Sequence, residues 1–205
     1  MIRLIALDLD DTLLTEELTI SDTNRRAVRA AEDAGITVLL ASGRTLFSMR
    51  SYGHELGMWG RKGFMIANNG ATVLGTDNQQ VLLEKPLEPA LALDVWEIVK
   101  GYGLTMQYYG EGEIFTSGSS RWTEEDCRLT GQRCHLVDSF EASLTLPRTK
   151  FVIPGEPELL VRLEVVLKER FGSEYFHLKT LLPRGAAGRR RQGNGPRVCR
   201  LPARA

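Results

Sequence analysis

The chain opens on a short apolar run, Leu4-Ile5-Ala6-Leu7, that ends abruptly at Asp8. Continuous apolarity without alternation predicts a strand buried on both faces of a parallel sheet. A second run, Ile36 to Ala41, ends at Ser42-Gly43-Arg44, and a third, Phe64 to Ala67, ends at Asn68-Asn69-Gly70. Between the first two runs, Ser21 has the chemistry of an N-cap and Gly35 that of a helix terminator, which predicts a helix through Ala34. A second helix is expected from about Thr45 to Leu56. Strand, polar loop and helix in repetition predict an α/β fold built on a Rossmann-like parallel sheet. Ligands of such sheets gather at the carboxyl ends of the strands. All three polar clusters fall there.

From about Glu84 the rhythm changes. Residues 89–100 predict an amphipathic helix, and Leu104–Tyr109 with Glu113–Thr116 a short hairpin across Gly110 and Gly112. Lys150–Ile153 is strand-like. Glu156–Arg170 predicts a helix with Leu159, Leu160, Leu163, Val166 and Leu167 along one face. Tyr175–Leu178 is expected as a final strand. An α+β unit thus follows a parallel unit, with the boundary near residue 84. The expected division is 1–83, 84–180 and a tail of 181–205.

Charge sharpens that last boundary. The formal net charge is zero, yet seven of the 26 basic residues are arginines between Leu182 and Ala205, a stretch without lysine, aspartate or glutamate. The remainder carries 19 basic and 26 acidic side chains, a net of about −7. No segment approaches the roughly 20 apolar residues of a membrane span. The N-terminal apolar run is broken by acidic residues where a signal peptide would continue. Cys127, Cys134 and Cys199 fit neither an even disulfide framework nor a CxxC metal spacing, so a reducing, cytoplasmic setting is expected.

The polar clusters carry candidate chemistry. Asp8 and Asp10 stand two residues apart just past a buried strand, where a curled loop can turn both toward one hard cation. Mg²⁺ favours oxygen ligands and typically combines one or two carboxylates with waters and substrate phosphate. A carboxylate can attack phosphorus, and a second one can protonate the leaving alkoxide and then activate water. Thr12, backbone N–H groups of the loop and Ser42 are candidates to hold phosphate oxygens. Gly43, Arg44, Asn69 and Gly70 complete the candidate substrate-binding set. Trp96, Trp122, Tyr108 and Tyr109 are candidates to line a substrate face of the second unit, with core packing the favoured reading.

These residues carry a family resemblance. DLDDT at 8–12 resembles the first motif of the haloacid-dehalogenase-like hydrolases, and LLASGR at 39–44 resembles the second. The stretch from Ile20 to Arg44, with IANNGA at 66–71, is similar to the Cof-type branch, phosphatases with an α/β cap inserted after the second motif. The resemblance covers about residues 2–180. It implies Asp8 as nucleophile and Asp10 as general acid/base. It further implies Mg²⁺ held by Asp8 and the Asp10 backbone carbonyl, and phosphate held by Ser42. Asp11 stands where many members have glycine. The substrate implied is a small phosphorylated metabolite such as a sugar phosphate, with no nucleic acid or membrane partner. A mannosyl-3-phosphoglycerate-type phosphosugar phosphatase is the alternative within the class.

The same resemblance implies a third-motif lysine and a fourth-motif GDxxND loop. The sequence has no lysine after Lys179 and no acidic residue after Glu174. The arginine- and glycine-rich stretch 182–195 is compatible with a shifted reading frame of the third-motif segment. A frameshift near Thr180–Leu182 is therefore expected, with a non-catalytic product as its functional counterpart.

Overall fold

The computed structural model describes residues 2–110, 112–172, 177–180 and 197–200. The chain divides into two compact units, residues 1–85 and 86–205. The expectations on Tyr175, on 181–196 and on 201–205, including the frameshift, lie outside the described residues.

The first unit is a five-stranded sheet in the order β1(Leu4–Asp8), β2(Thr37–Ala41), β3(Phe64–Ala67), β4(Thr72–Gly75), β5(Val81–Glu84). β1 to β3 run parallel, joined by α1(Asp22–Asp33) and α2(Leu46–Leu56). Ser21 Oγ caps α1 by accepting from Asn24 N at 3.2 Å, and Gly35 follows the helix at φ +79°. Thr45 plays the Ser21 part for α2, accepting from Ser48 N at 3.3 Å. After β3 only Asn68 to Ala71 intervene before β4. That is too short for a helical crossover, so β4 folds back antiparallel and β5 follows it. Leu9, Val28, Leu40, Met49, Met65 and Leu74 form the core between sheet and helices. Each such side chain contributes about 1.5–3 kcal/mol by its burial.

β1 corrects one expectation. Among the described residues it is an edge strand, not a strand buried on both faces: Leu4 exposes half its surface, Ala6 and Asp8 are exposed, and Ile5 and Leu7 are half-buried. Apolar composition records affinity for a core but not how many faces a neighbour covers.

The second unit is a six-stranded sheet in the order β10(His177–Thr180), β11(Arg197–Arg200), β9(Phe151–Gly155), β6(Gln107–Tyr109), β7(Glu113–Thr116), β8(Arg133–Leu136). All neighbours are antiparallel except β7 and β8, which α4(Arg121–Thr130) connects in parallel. α3(Pro89–Gly101) and α6(Pro157–Phe171) lie on one face, where Tyr108, Phe151 and Ile153 meet Val95, Trp96, Leu160 and Leu163. A short helix, α5(Phe140–Ser143), adds Phe140 to that core. Tyr109, Ile114 and Val152 point to the other face and meet Cys127 of α4. β11 extends this sheet, although the sequence reading assigned its residues to a tail standing in for part of the first unit. Cys127 and Cys134 are joined as a disulfide with Cα atoms 6.2 Å apart. The expectation of unpaired cysteines is thereby corrected, and with it the argument from cysteine usage for a reducing compartment. Among the described residues, no helix is long and apolar enough to cross a membrane.

Candidate active site

Parallel strands place their carboxyl ends side by side, and the register here does so closely. Asp8 of β1 lies opposite Ala41 of β2, and Ala41 opposite Ile66 of β3. Three loops leave those ends together, and backbone groups zip the second to the third. Ser42 N donates to Ile66 O at 2.9 Å, Asn68 N to Arg44 O at 2.8 Å and Asn69 N to Ser42 O at 3.3 Å.

The first loop is a single wide turn, closed by Leu14 N donating to Leu9 O at 2.9 Å. Leu9 and Leu13 bury themselves in the core and so turn the residues between them outward. Asp8 Oδ1 caps the turn by accepting from Leu9 N at 2.8 Å, while the side chain remains exposed. Asp10 is extended at φ −72°, ψ 131°. Asp11 is left-handed at φ +58°, ψ 14°. Left-handed backbone costs an ordinary L-residue about 1–2 kcal/mol, and aspartate is among the side chains that tolerate it best.

Arg44 joins the first loop to the other two. Its Nε donates to Asp10 Oδ2 at 3.1 Å and its Nη2 to Asp10 Oδ1 at 2.8 Å, a bidentate fork. The pair is mostly buried, with 12% and 17% of the two side chains exposed. Burial works against the guanidinium cation, but hydrogen bonding and attraction to Asp10, aided by Tyr52, outweigh it and raise its pKa. Ser42 is buried, and its Oγ accepts from Arg44 N at 3.1 Å.

The structure therefore brings Asp10, Ser42, Arg44 and Asn69 into one bonded network, with Asp8 beside it in the sheet register. Thr12 is exposed, and no hydrogen bond among the described residues ties it to these groups. Gly43 and Gly70 are half-buried in their loops, and Gly70 takes φ +94°. Three residues outside the sequence-predicted set support the site. Asn68 supplies the N–H that meets Arg44 and donates Nδ2 to Thr72 Oγ1 at 3.0 Å. The Tyr52 ring lies 5.6 Å from the Arg44 guanidinium. Asn24 Nδ2 donates to Leu13 O at 3.0 Å and so pins the far end of the turn. Asn68 stood in the polar cluster that ends the third apolar run, whereas Tyr52 and Asn24 left no signal in the sequence.

Mg²⁺ asks for hard oxygen donors. Among the described residues no three His, Cys, Asp or Glu side chains converge. Asp8 nevertheless presents an exposed carboxylate with one oxygen committed to Leu9. One carboxylate with a carbonyl and waters suits a hard cation that completes its shell with phosphate. The Asp10 carboxylate is engaged by Arg44 at both oxygens.

Comparison with known proteins adds an independent line. The profile described as haloacid dehalogenase-like hydrolase matches residues 5–181. A 5-amino-6-(5-phospho-D-ribitylamino)uracil phosphatase of Bacillus subtilis is 42% identical over 86 residues, covering 42% of this chain and 32% of its own length. An HMP-PP phosphatase of Enterobacter is 28% identical over 186 residues, covering 84% of this chain and 62% of its own. The chain spans less than two thirds of the length of these curated relatives. A crystal structure of a haloacid dehalogenase-like hydrolase from Bacteroides thetaiotaomicron superposes with a TM-score of 0.81 at 24% identity, covering 98% of this chain and 71% of that one.

Proposed function

This chain belongs to the haloacid dehalogenase-like hydrolases, and from that premise we propose that it carries the nucleophile half of a phosphomonoesterase site for small phosphorylated metabolites. The observation that supports this most is the exposed Asp8 carboxylate at the end of β1, one sheet position from the loop holding Ser42 and Arg44. Relatives named as phosphatases of a ribitylaminouracil phosphate and of HMP-PP agree with a small phosphorylated substrate.

In this reading an Asp8 oxygen attacks phosphorus as the ester P–O bond breaks. Asp10 delivers the proton taken up by the leaving alkoxide. Asp10 then accepts a proton from water as that water attacks the acyl phosphate, which restores Asp8 and releases inorganic phosphate. Ser42 and the N–H groups of the strand-end loops receive the phosphate oxygens. Asp8 and the Asp10 carbonyl would hold Mg²⁺, which when bound offsets the repulsion between carboxylate and phosphate.

The test is hydrolysis of p-nitrophenyl phosphate by this chain and by Asp8→Asn, each with and without Mg²⁺. A rate that requires both Asp8 and the metal is the expected result. Equal, near-background rates in all four arms would reject turnover by this chain and favour the non-catalytic alternative.

A further inference from the structure

Arg44 was expected among the phosphate contacts because it ends the Ser42 loop, but the structure commits its guanidinium elsewhere. Both ends of the fork meet both oxygens of Asp10, a residue 34 positions away in sequence. We propose that Arg44 is a positioning residue for Asp10, setting the plane and direction of that carboxylate rather than binding the substrate phosphate. The inference rests on the reading of Asp10 as the proton carrier.

Three features of the molecule support it. The Arg44 main chain is fixed on both sides, its N–H by Ser42 Oγ and its carbonyl by Asn68 N, so the side chain starts from a rigid base. Its path is bounded by the Tyr52 ring, and the Tyr52 hydroxyl is anchored in turn by Leu18 O at 3.2 Å. Asp10 itself lies in a wide turn, extended at φ −72°, ψ 131° and directly before the left-handed Asp11. A planar guanidinium matches a carboxylate in two parallel bonds and fixes rotation about the carboxylate axis. A lysine offers a point charge and fixes none. With Asp10 on the Nε–Nη2 edge, a phosphate dianion could take a bidentate hold on that edge only by displacing Asp10.

The experiment uses the full chain with Mg²⁺ and compares the parent with Arg44→Lys and Arg44→Met. Two substrates that differ in leaving group are needed, p-nitrophenyl phosphate and an alkyl phosphate such as glycerol 1-phosphate. Proton delivery matters for the alkoxide and little for the nitrophenolate. Since general acid catalysis is worth about 10²–10⁴ in rate, kcat/KM for the alkyl ester should fall by about 10² or more in both variants. For the aryl ester it should fall by less than about tenfold, and the Kd for inorganic phosphate should stay within about threefold. Equal losses on the two esters with a tenfold weaker phosphate Kd would overturn the proposal and make Arg44 a phosphate ligand. A parent-like Arg44→Lys would also overturn it, because charge without the fork would then suffice.

A readout independent of turnover is the Arg44 Nε–H resonance in ¹⁵N NMR. Asp10→Asn should displace it and saturating inorganic phosphate should not. Displacement by phosphate comparable to that by Asp10→Asn would reject the proposal even in a chain without activity. If instead Asp10→Asn hydrolysed the alkyl ester as fast as the parent, the role assigned to Asp10 would fail, while the Arg44 contact would still be decided by the resonance.

Discussion

The two units each gather a carboxylate, a cation and a tyrosine, and use them in opposite ways. In the first, Asp10 and Arg44 sit at the open ends of parallel strands beside Tyr52, with the exposed Asp8 next to them. In the second, Asp126 lies on the buried face of α4, 3% exposed, and accepts from Gln107 Nε2 at 2.5 Å and from the Tyr109 hydroxyl. Lys150 Nζ stands 4.4 Å from the Tyr109 ring centroid, itself buried. The residue types are nearly the same. Position relative to the sheet separates them: a strand end leaves one face of each group to a ligand, whereas a sheet face under a helix spends every group on architecture.

The sharpest way to break this comparison is to exchange losses between the two sites. Asp8→Asn should lower phosphatase kcat by about 10³ or more, since removing a nucleophile disables the whole route. It should leave the unfolding midpoint nearly unmoved, because asparagine Oδ1 can still cap Leu9. Asp126→Ala should do the reverse. It removes the acceptor that Gln107 Nε2 and the Tyr109 hydroxyl share in a buried site, at about 2–4 kcal/mol, read as a lower denaturant midpoint with kcat unchanged. Comparable loss of activity in Asp126→Ala would place that cluster in the function and end the contrast.

Smaller effects refine it. Asp11→Ala should cost about 1–2 kcal/mol by forcing a less tolerant side chain into the left-handed region, whereas Asp11→Gly should be neutral or stabilising. Urea titration of both variants measures the difference. The smallest expected effect is in the second unit at the surface. Lys100 Nζ, 2.8 Å from Glu141 Oε1, holds that carboxyl down to about 2. A depressed folded-state pKa gives stability that is present above the ordinary glutamate range and is lost as pH falls toward 2. In Lys100→Met the Glu141 carboxyl should titrate nearer its ordinary value by NMR. High salt should shrink the difference, as it does for an exposed pair.

What was legible in the sequence follows what each element is made of. β2, β3, α1 and α2 announce themselves through apolar runs and by Ser21 and Gly35, because local chemistry alone specifies them. α4 was missed because its buried face carries Thr123 and Asp126 instead of aliphatic residues, so no helical apolar period exists to be read. β8 was missed because Arg133 to Leu136 is largely exposed and does not alternate. β4 was missed because Thr72 and Gly75 flank only two apolar residues, and β5 because its residues are all exposed and show no buried period. At the site, Asp8, Asp10, Ser42 and Asn69 were readable from their place after apolar runs. The partnership of Arg44 with Asp10 was not, since it spans 34 residues and depends on how the three loops meet.

The zipped loops imply how this region opens. Amides in surface loops usually exchange with solvent in the fastest class, but those of Ser42, Asn68 and Asn69 are donated to partners across the β2–β3 boundary. None of these three can be released without parting the two loops, so they belong to one cooperative opening unit with the strand ends. In a hydrogen-exchange experiment they would be retained with the sheet and lost with it, making the floor of the candidate site one of the last surfaces of the first unit to melt.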